Sequence, residues 1–150
     1  FRGAEVYAAS TMERTSYGVS RLKYGEVDYF VREKLHTAAV MSGIAISVTR
    51  TAIAHSISYP LTSRFGVPHG LACSFTLPRL IDHHLDNAPE EEYRSLLLKS
   101  KKCLQAFDMD ERLKKYTRNE NILIYADEML DASRATNFIH ANVSIKDLIG

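Results

Sequence analysis

Apolar residues recur along this chain at steps of three and four positions, and no segment keeps a strict alternation of apolar and polar residues. Steps of three and four place side chains on one face of an α-helix, whereas a half-buried strand needs a period of two. The pattern therefore predicts an all-α fold. Neither an internal repeat nor a low-complexity linker divides the sequence, which predicts one helical domain over residues 1–150, organised as a helical bundle.

The N-terminal part is predicted to contain two long helices joined by a short acidic turn. The first spans about residues 4–24 and ends at Gly25, and the second begins at Asp28, a favoured N-cap residue. The second helix is predicted to continue towards His55 and to be buried on most sides. The stretch 37–62 carries few charges, but Arg, His and repeated Ser and Thr interrupt it, so we interpret it as a buried helix and not as a membrane span.

Turn-forming residues and helix-start signals divide the rest of the chain. A cluster of Pro and Gly predicts a loop over residues 59–70, and Pro78 predicts a kink or a break in the following helix, 71–85. Pro89 and the three glutamates after it predict the start of a helix that runs to about residue 107. Further helices are predicted over 110–116, over 119–130 and from Ser144, which forms a potential capping box with Asp147.

Composition and charge narrow the classes of partner and compartment. Nineteen Lys and Arg offset eighteen Asp and Glu for a net charge of +1, and no block of one sign occurs, which predicts no nucleic-acid partner and no membrane partner. Cys73 and Cys103 lie in apolar helical patterns, so they are predicted to be buried free thiols in a reducing, cytoplasmic setting. The start at Phe1, without a leader-like pattern, predicts that the chain begins inside a longer sequence.

Two histidines stand out as candidate metal ligands. His55 and His69 are fourteen positions apart, on either side of the Pro and Gly cluster, so a loop that doubles back would bring their imidazoles together. Neutral imidazole is the commonest side-chain ligand of transition metals. A histidine on an apolar helix is, however, more often a hydrogen-bonded core residue, and His69 could simply cap a turn. Spacing alone leaves both interpretations open.

The residues around these histidines resemble the signature of the iron-containing (group III) alcohol dehydrogenases. The similar runs are Ala54-His55 and, after the loop, Gly66-Val67-Pro68-His69-Gly70-Leu71-Ala72. The resemblance extends over residues 33–50 and 137–148. It implies that the chain is the C-terminal helical, metal-binding domain of such an enzyme, and that the N-terminal α/β domain, which binds NAD or NADP, is absent. It also implies Fe²⁺ as the metal, with Zn²⁺ as the alternative ion.

The resemblance assigns ligands residue by residue. Members of the family hold the metal with an Asp, a His four residues later, and two further His; by motif match, His55 and His69 are the last two. No Asp in this sequence is followed four residues later by His, so the first pair is missing. Many members carry a further His near the substrate, where this chain has Tyr59. Tyr59 is our candidate catalytic residue, but a tyrosine is a poor proton shuttle near pH 7, and an aromatic packing role fits it equally well.

The predicted function follows from the resemblance. The seven glycines never form the close Gly-x-Gly spacing of a dinucleotide-binding turn, so NAD or NADP must be bound elsewhere. We predict part of a metal-dependent oxidoreductase that interconverts a small alcohol and an aldehyde, inactive as an isolated fragment. The run Ser56 to Thr62 resembles a branch that reduces small aldehydes such as phosphonoacetaldehyde. The alternative is a non-catalytic helical remnant that self-associates or binds a partner, and exposed apolar surface predicts a homo-oligomer.

Overall fold

A computed structural model of the chain describes residues 2–88, 92–129 and 143–150, and no strand occurs within these ranges, which confirms the all-α prediction. The described residues form two compact units, one from 2–50 and 92–107 and the other from 51–88, 108–129 and 143–150. The prediction of one domain over the whole chain stays a prediction. In chain order the described helices are α1 (Arg2–Leu22), α2 (Tyr29–Thr49), α3 (Ile53–Phe65), α4 (His69–Ser74), α5 (Leu77–Asn87), α6 (Arg94–Gln105), α7 (Met109–Leu113), α8 (Asn119–Leu123), α9 (Ala126–Met129) and α10 (Ile145–Ile149).

The first unit contains α1, α2 and α6, with α1 packed against both of the others. On α2 the buried side chains are Val31, Ala38 and Ala45, a single stripe at steps of seven residues. Val40 and Val48 are 65% and 54% exposed, so the prediction that this helix is buried on most sides is wrong. Helix α2 carries apolar residues on all of its faces. The sequence pattern therefore could not show that only one face is covered by its packing partner.

For α2, the predicted start is confirmed and the predicted end is wrong. Its start is confirmed, because the Asp28 carboxylate accepts a hydrogen bond from the Val31 amide at 2.8 Å, as an N-cap residue does. The predicted continuation to His55 is wrong, since the helix ends at Thr49 and Arg50 takes a positive φ of 63°. Residues 48, 49 and 51 are β-branched, which lowers helix propensity at this point.

Two polar contacts join α1 to α6 inside the first unit. The hydroxyls of Ser16 and Ser100 lie 3.1 Å apart, and the Cys103 thiol lies 3.5 Å from the Ser16 carbonyl, to which it donates. Both cysteines of the chain are free thiols, as predicted, but both are half-buried, so the prediction of full burial is wrong. Cys103 lies at the edge of a helix contact and not inside a core.

The second unit holds a continuous hydrophobic core. Helix α3 contributes Ile53, Ile57 and Leu61 at steps of four residues, which places the three side chains on one face. Ala54 of α3 is buried as well. The other buried members come from the remaining helices of this unit and the segments between them: Val67, Ala72, Phe75, Leu80, Leu113, Ile122, Met129, Val143, Ile145, Leu148 and Ile149. Burial of one Leu, Ile or Phe side chain stabilises the folded state by roughly 1.5–3 kcal/mol.

The Pro and Gly cluster forms a much shorter loop than predicted. Helix α3 continues through Pro60 to Phe65, so only residues 66–68 connect it to α4, and the predicted loop over 59–70 is wrong. A proline inside a helix costs about 3 kcal/mol, because one amide donor is lost and the ring meets the preceding turn. Burial of Ile57 and Leu61, on either side of Pro60 along the chain, offsets a cost of that size.

Other predicted boundaries in the second unit have mixed outcomes. Pro78 occupies the first turn of α5, separated from α4 by a turn, which confirms the predicted break. Ser144 precedes α10 as predicted, but its side chain makes no capping hydrogen bond, so the capping box with Asp147 is not formed. The predicted helix 119–130 is divided into α8 and α9. The helix start predicted at Pro89 and the family-like residues before Val143 lie outside the described residues.

Within the described ranges, no single helix is both long enough and apolar enough to cross a membrane. Helices α2 and α3 meet this test of length and composition only as a pair with a break between them.

Candidate metal centre

The connection between α3 and α4 decides where the two histidines lie. His55 is in the first turn of α3 and His69 is the first residue of α4. Between them Gly66 adopts a left-handed conformation with φ of 66°, which glycine reaches without the steric penalty of a Cβ. Its amide donates to the Thr62 carbonyl at 3.1 Å, and the fully buried Val67 fastens the connection to the core.

The two imidazoles meet at one point of the second unit. The ring centroids of His55 and His69 lie 5.4 Å apart, with the ring planes inclined by 62°. His55 is half-buried and His69 is exposed, so the pair opens to solvent on one side. The structure thus brings together the two residues that the sequence singled out, on two different helices of the same unit.

A third donor, which sequence reasoning missed, joins the pair. Cys73 lies four residues after His69 on α4, and its Sγ is 3.6 Å from His69 Nε2 and 3.8 Å from Nδ1. The candidate ligand atoms of His55, His69 and Cys73 all lie within 4.8 Å of one another. The signal was present as His-x-x-x-Cys, since residues four apart share one face of a helix. We name these three residues the His-Cys cluster.

Burial affects the acidity of the cluster's thiol. Cys73 is half-buried, and loss of hydration there raises the pKa of its thiol above the ordinary value, because the charged thiolate is disfavoured. A hydrogen-bond contribution from the Ser58 hydroxyl acts in the opposite direction and is smaller. In the absence of a cation, the cysteine is therefore held as a neutral thiol at pH 7.

Buried contacts hold the first turn of α3 in place beneath His55. The residues on either side of it, Ala54 and Ser56, are both buried. The Ser56 hydroxyl donates to the Met129 carbonyl at 2.5 Å, which ties α3 to α9 inside the core. The Ser58 hydroxyl donates to the carbonyl of His55 itself at 2.7 Å. Packing and hydrogen bonds therefore fix the backbone that carries His55.

Tyr59, the candidate catalytic residue, lies one helical turn after His55 on α3. Residues at this spacing share a face of the helix, so Tyr59 is on the same side of α3 as the His-Cys cluster. Its side chain is 46% exposed, which argues against the alternative of a core packing residue before Pro60. The structure leaves the phenol accessible to a small molecule at that face.

Comparison with known families identifies the chain. The model of the Fe-containing alcohol dehydrogenase family, C-terminal region, matches residues 6–98, which is more than half of the chain and includes both histidines. The chain belongs to this family. As a member of the iron-containing alcohol dehydrogenases, it is related to alcohol and aldehyde oxidoreductases, and its all-α architecture agrees with the C-terminal domain of that family.

Individual proteins match shorter stretches of the chain. The chain is 47% identical to phosphonoacetaldehyde reductase of Streptomyces viridochromogenes over 57 residues, which are 38% of this chain and 14% of that protein. It is 31% identical to the bifunctional aldehyde-alcohol dehydrogenase of Escherichia coli K12 over 68 residues, 45% of this chain and 8% of that protein. The matched regions are thus small parts of these relatives. No solved structure matches the chain.

Proposed function

We propose that His55 and His69 hold a divalent metal ion in an oxidoreductase that interconverts an alcohol and an aldehyde with NAD or NADP. The observation that carries this proposal is the meeting of the two imidazole rings, 5.4 Å apart, on neighbouring helices. The two histidines also lie within the region matched by the iron-containing alcohol dehydrogenase family. Fe²⁺ is the ion that the family implies, and Zn²⁺ is the alternative.

The donor set fits a transition metal. Two imidazoles and a thiol within 4.8 Å are nitrogen and sulfur donors, which suit first-row transition metals better than Mg²⁺ or Ca²⁺. A bound divalent ion supplies Lewis acidity towards an alcohol or aldehyde oxygen. The chain's own contribution is to present His55 from a fixed helix turn, to present His69 at the solvent-accessible start of α4, and to carry Tyr59, whose hydroxyl can donate a hydrogen bond, on the same face of α3 as His55.

The sequence of this chain contains no glycine-rich turn motif of the kind that binds a nicotinamide dinucleotide. Its glycines are too far apart in sequence to let the backbone approach a pyrophosphate. In our proposal NAD or NADP is therefore bound by a part of the enzyme outside these 150 residues, and the chain supplies the metal side of the active site.

A small aldehyde is the proposed substrate. The relative with 47% identity over 57 residues is a phosphonoacetaldehyde reductase, and the other is an aldehyde-alcohol dehydrogenase. The solvent-accessible side of the His-Cys cluster suits a small polar molecule. Phosphonoacetaldehyde is the first substrate to test, followed by short unsubstituted aldehydes.

A second candidate function is self-association without catalysis. It is supported by the exposed apolar residues of α2 in the first unit, Val40, Ile44 and Val48. The coding sequence on the N-terminal side of Phe1 discriminates between the two functions. A glycine-rich α/β region with an Asp-x-x-x-His motif supports the enzyme, and a start codon adjacent to Phe1 supports the remnant.

The metal role of the histidines can be tested on the 150-residue chain. Replacing His55 or His69 with alanine is expected to weaken the binding of Zn²⁺, or of Fe²⁺ under anaerobic conditions, by at least about 10–100-fold, which is what even the loss of an outer-shell partner costs. Equilibrium dialysis gives the affinity. The matched control is His36→Ala, at an exposed position of the first unit, which should bind as the unsubstituted chain does. Equal affinity in all four proteins, or no binding in any, would overturn the proposal.

Tyr59 can be tested in the full-length protein that carries this chain. Tyr59→Phe removes the hydroxyl and keeps the ring, so we expect kcat for aldehyde reduction to fall by about tenfold, the equivalent of one hydrogen bond of about 1.4 kcal/mol. The control is Tyr116→Phe, at a residue that is 44% exposed in the second unit. If both variants keep the original kcat, Tyr59 has no catalytic role.

A further inference from the structure

The His-Cys cluster contains one donor more than the family resemblance assigns to this region. The resemblance places metal ligands at His55 and His69 and none at Cys73. Yet the Cys73 sulfur is 3.6 Å from His69 Nε2, and the ligand atoms of all three residues lie within 4.8 Å of one another. Because Cys73 and His69 are on one face of a six-residue helix, their side chains are directed to the same side.

We propose that Cys73 Sγ is the third metal ligand, and that the chain binds Zn²⁺ through two imidazoles and one thiolate. The proposal rests on the proposed metal role of His55 and His69 and extends it to a ligand set and a metal preference. It requires no residue outside the second unit. Residues 51–88 alone supply all three donors.

The distances support a tetrahedral ion. With Zn–N of about 2.0–2.1 Å and Zn–S of about 2.3 Å, tetrahedral geometry separates a ligating nitrogen and sulfur by about 3.5 Å. The Sγ of Cys73 and the Nε2 of His69 are 3.6 Å apart, so this pair already has the required spacing. The donor atoms of all three residues lie within 4.8 Å of one another, a span that small side-chain rotations reduce to tetrahedral separations.

The chemistry of the third donor explains the metal preference. As the Cys73 Sγ–Zn bond forms, the thiol S–H bond breaks and its proton passes to solvent, so one proton is released for each ion bound at this residue. The positive charge of the ion compensates for the cost of a thiolate at a half-buried position. A soft thiolate favours Zn²⁺ over Fe²⁺, and three protein ligands leave the fourth tetrahedral position open, as in catalytic zinc sites.

Co²⁺ provides a spectroscopic test on the 150-residue chain, because cobalt bonded to a thiolate shows a charge-transfer band in the near ultraviolet. We expect this band in the unsubstituted chain and its loss in Cys73→Ser. We also expect Cys73→Ser to weaken Zn²⁺ binding, measured by competition with Co²⁺, by at least about 10–100-fold. The matched control is Cys103→Ser, which removes the other cysteine, in the first unit, and should change neither the band nor the affinity.

A second measurement needs no variant and so does not depend on how Cys73→Ser folds. Zn²⁺ should protect Cys73 of the unsubstituted chain from alkylation by iodoacetamide, as measured by mass spectrometry of its peptides, and should leave the reactivity of Cys103 unchanged.

The outcomes separate this proposal from the one on which it rests. If the ion binds and depends on both histidines, but neither the band nor the affinity responds to Cys73→Ser, the thiolate ligand is refuted and the metal role of the histidines stands. Alkylation of Cys73 at the same rate with and without bound Zn²⁺ would refute it as well. If no variant and not even the unsubstituted chain binds Zn²⁺ or Co²⁺, both proposals fail.

Discussion

Replacing Phe75 with alanine is expected to lower the free energy of unfolding of the second unit by about 3–5 kcal/mol. The Phe75 side chain is 1% exposed and belongs to the hydrophobic core, in the turn between α4 and α5. Removing the ring takes away its burial and leaves a cavity in a close-packed interior. A domain of this size is stable by only about 5–15 kcal/mol, so the loss is a large fraction of the total. Urea unfolding followed by far-ultraviolet circular dichroism measures it.

Two further variants show whether the loss of the Phe75 ring itself causes the loss of stability. Phe75→Leu keeps most of the buried volume and should cost less than about 1.5 kcal/mol. Tyr116→Ala removes an aromatic ring that is 44% exposed in the same unit and should change stability by no more than about 0.5 kcal/mol. Should Phe75→Ala prove no more costly than Tyr116→Ala, the core of the second unit is not packed as described. Hydrogen exchange at amides of α3 and α4 would locate the loss near the His-Cys cluster.

Gly18→Ala is expected to destabilise the first unit by about 1–3 kcal/mol, the usual cost of overpacking. Gly18 is buried in α1, and a Cβ built there would lie 2.6 Å from both the Cγ and the Cδ2 of Leu35 on α2. Such a distance is far below van der Waals contact. Because the clash involves Cγ as well as the end of the side chain, its relief requires a different χ1 rotamer of Leu35 or a separation of α1 from α2.

The matched control is the same substitution at another glycine in a helix of the first unit. A Cβ at Gly43 of α2 meets no described atom within 4 Å, and Gly43→Ala should therefore stabilise by roughly 0.5–1 kcal/mol through helix propensity alone. The two variants differ in position and not in chemistry, so opposite signs in urea unfolding isolate the contact with Leu35. A shift of the same sign and size in both would contradict the close approach of α1 to α2.

The zinc preference that we propose makes this chain a variation within its family. The family's description names iron, and the carboxylate-containing ligand pair that the resemblance implies is not encoded in these residues. A centre of two imidazoles and a thiolate would be complete within one compact unit. Metal analysis of the protein, purified without chelators, would show which ion occupies it.

Local signals in the sequence correctly determined several features. The period of the apolar residues established the all-α class, and the Asp28 cap and the Pro78 break were both found at the predicted places. The histidine motif identified the family and the two residues whose rings meet. These features depend on the conformational preferences of a few neighbouring residues or on one specific sequence motif. Both can be read from the sequence.

Only the tertiary structure decided the rest. It showed that α3 continues through Pro60, that only one stripe of α2 is covered, and that Cys73 joins the two histidines. Each of these depends on burial against residues distant in sequence. The cost of a proline inside a helix is a few kcal/mol, and burial of one face of that helix in a shared core outweighs it. The local sequence does not show which face of a helix will be buried.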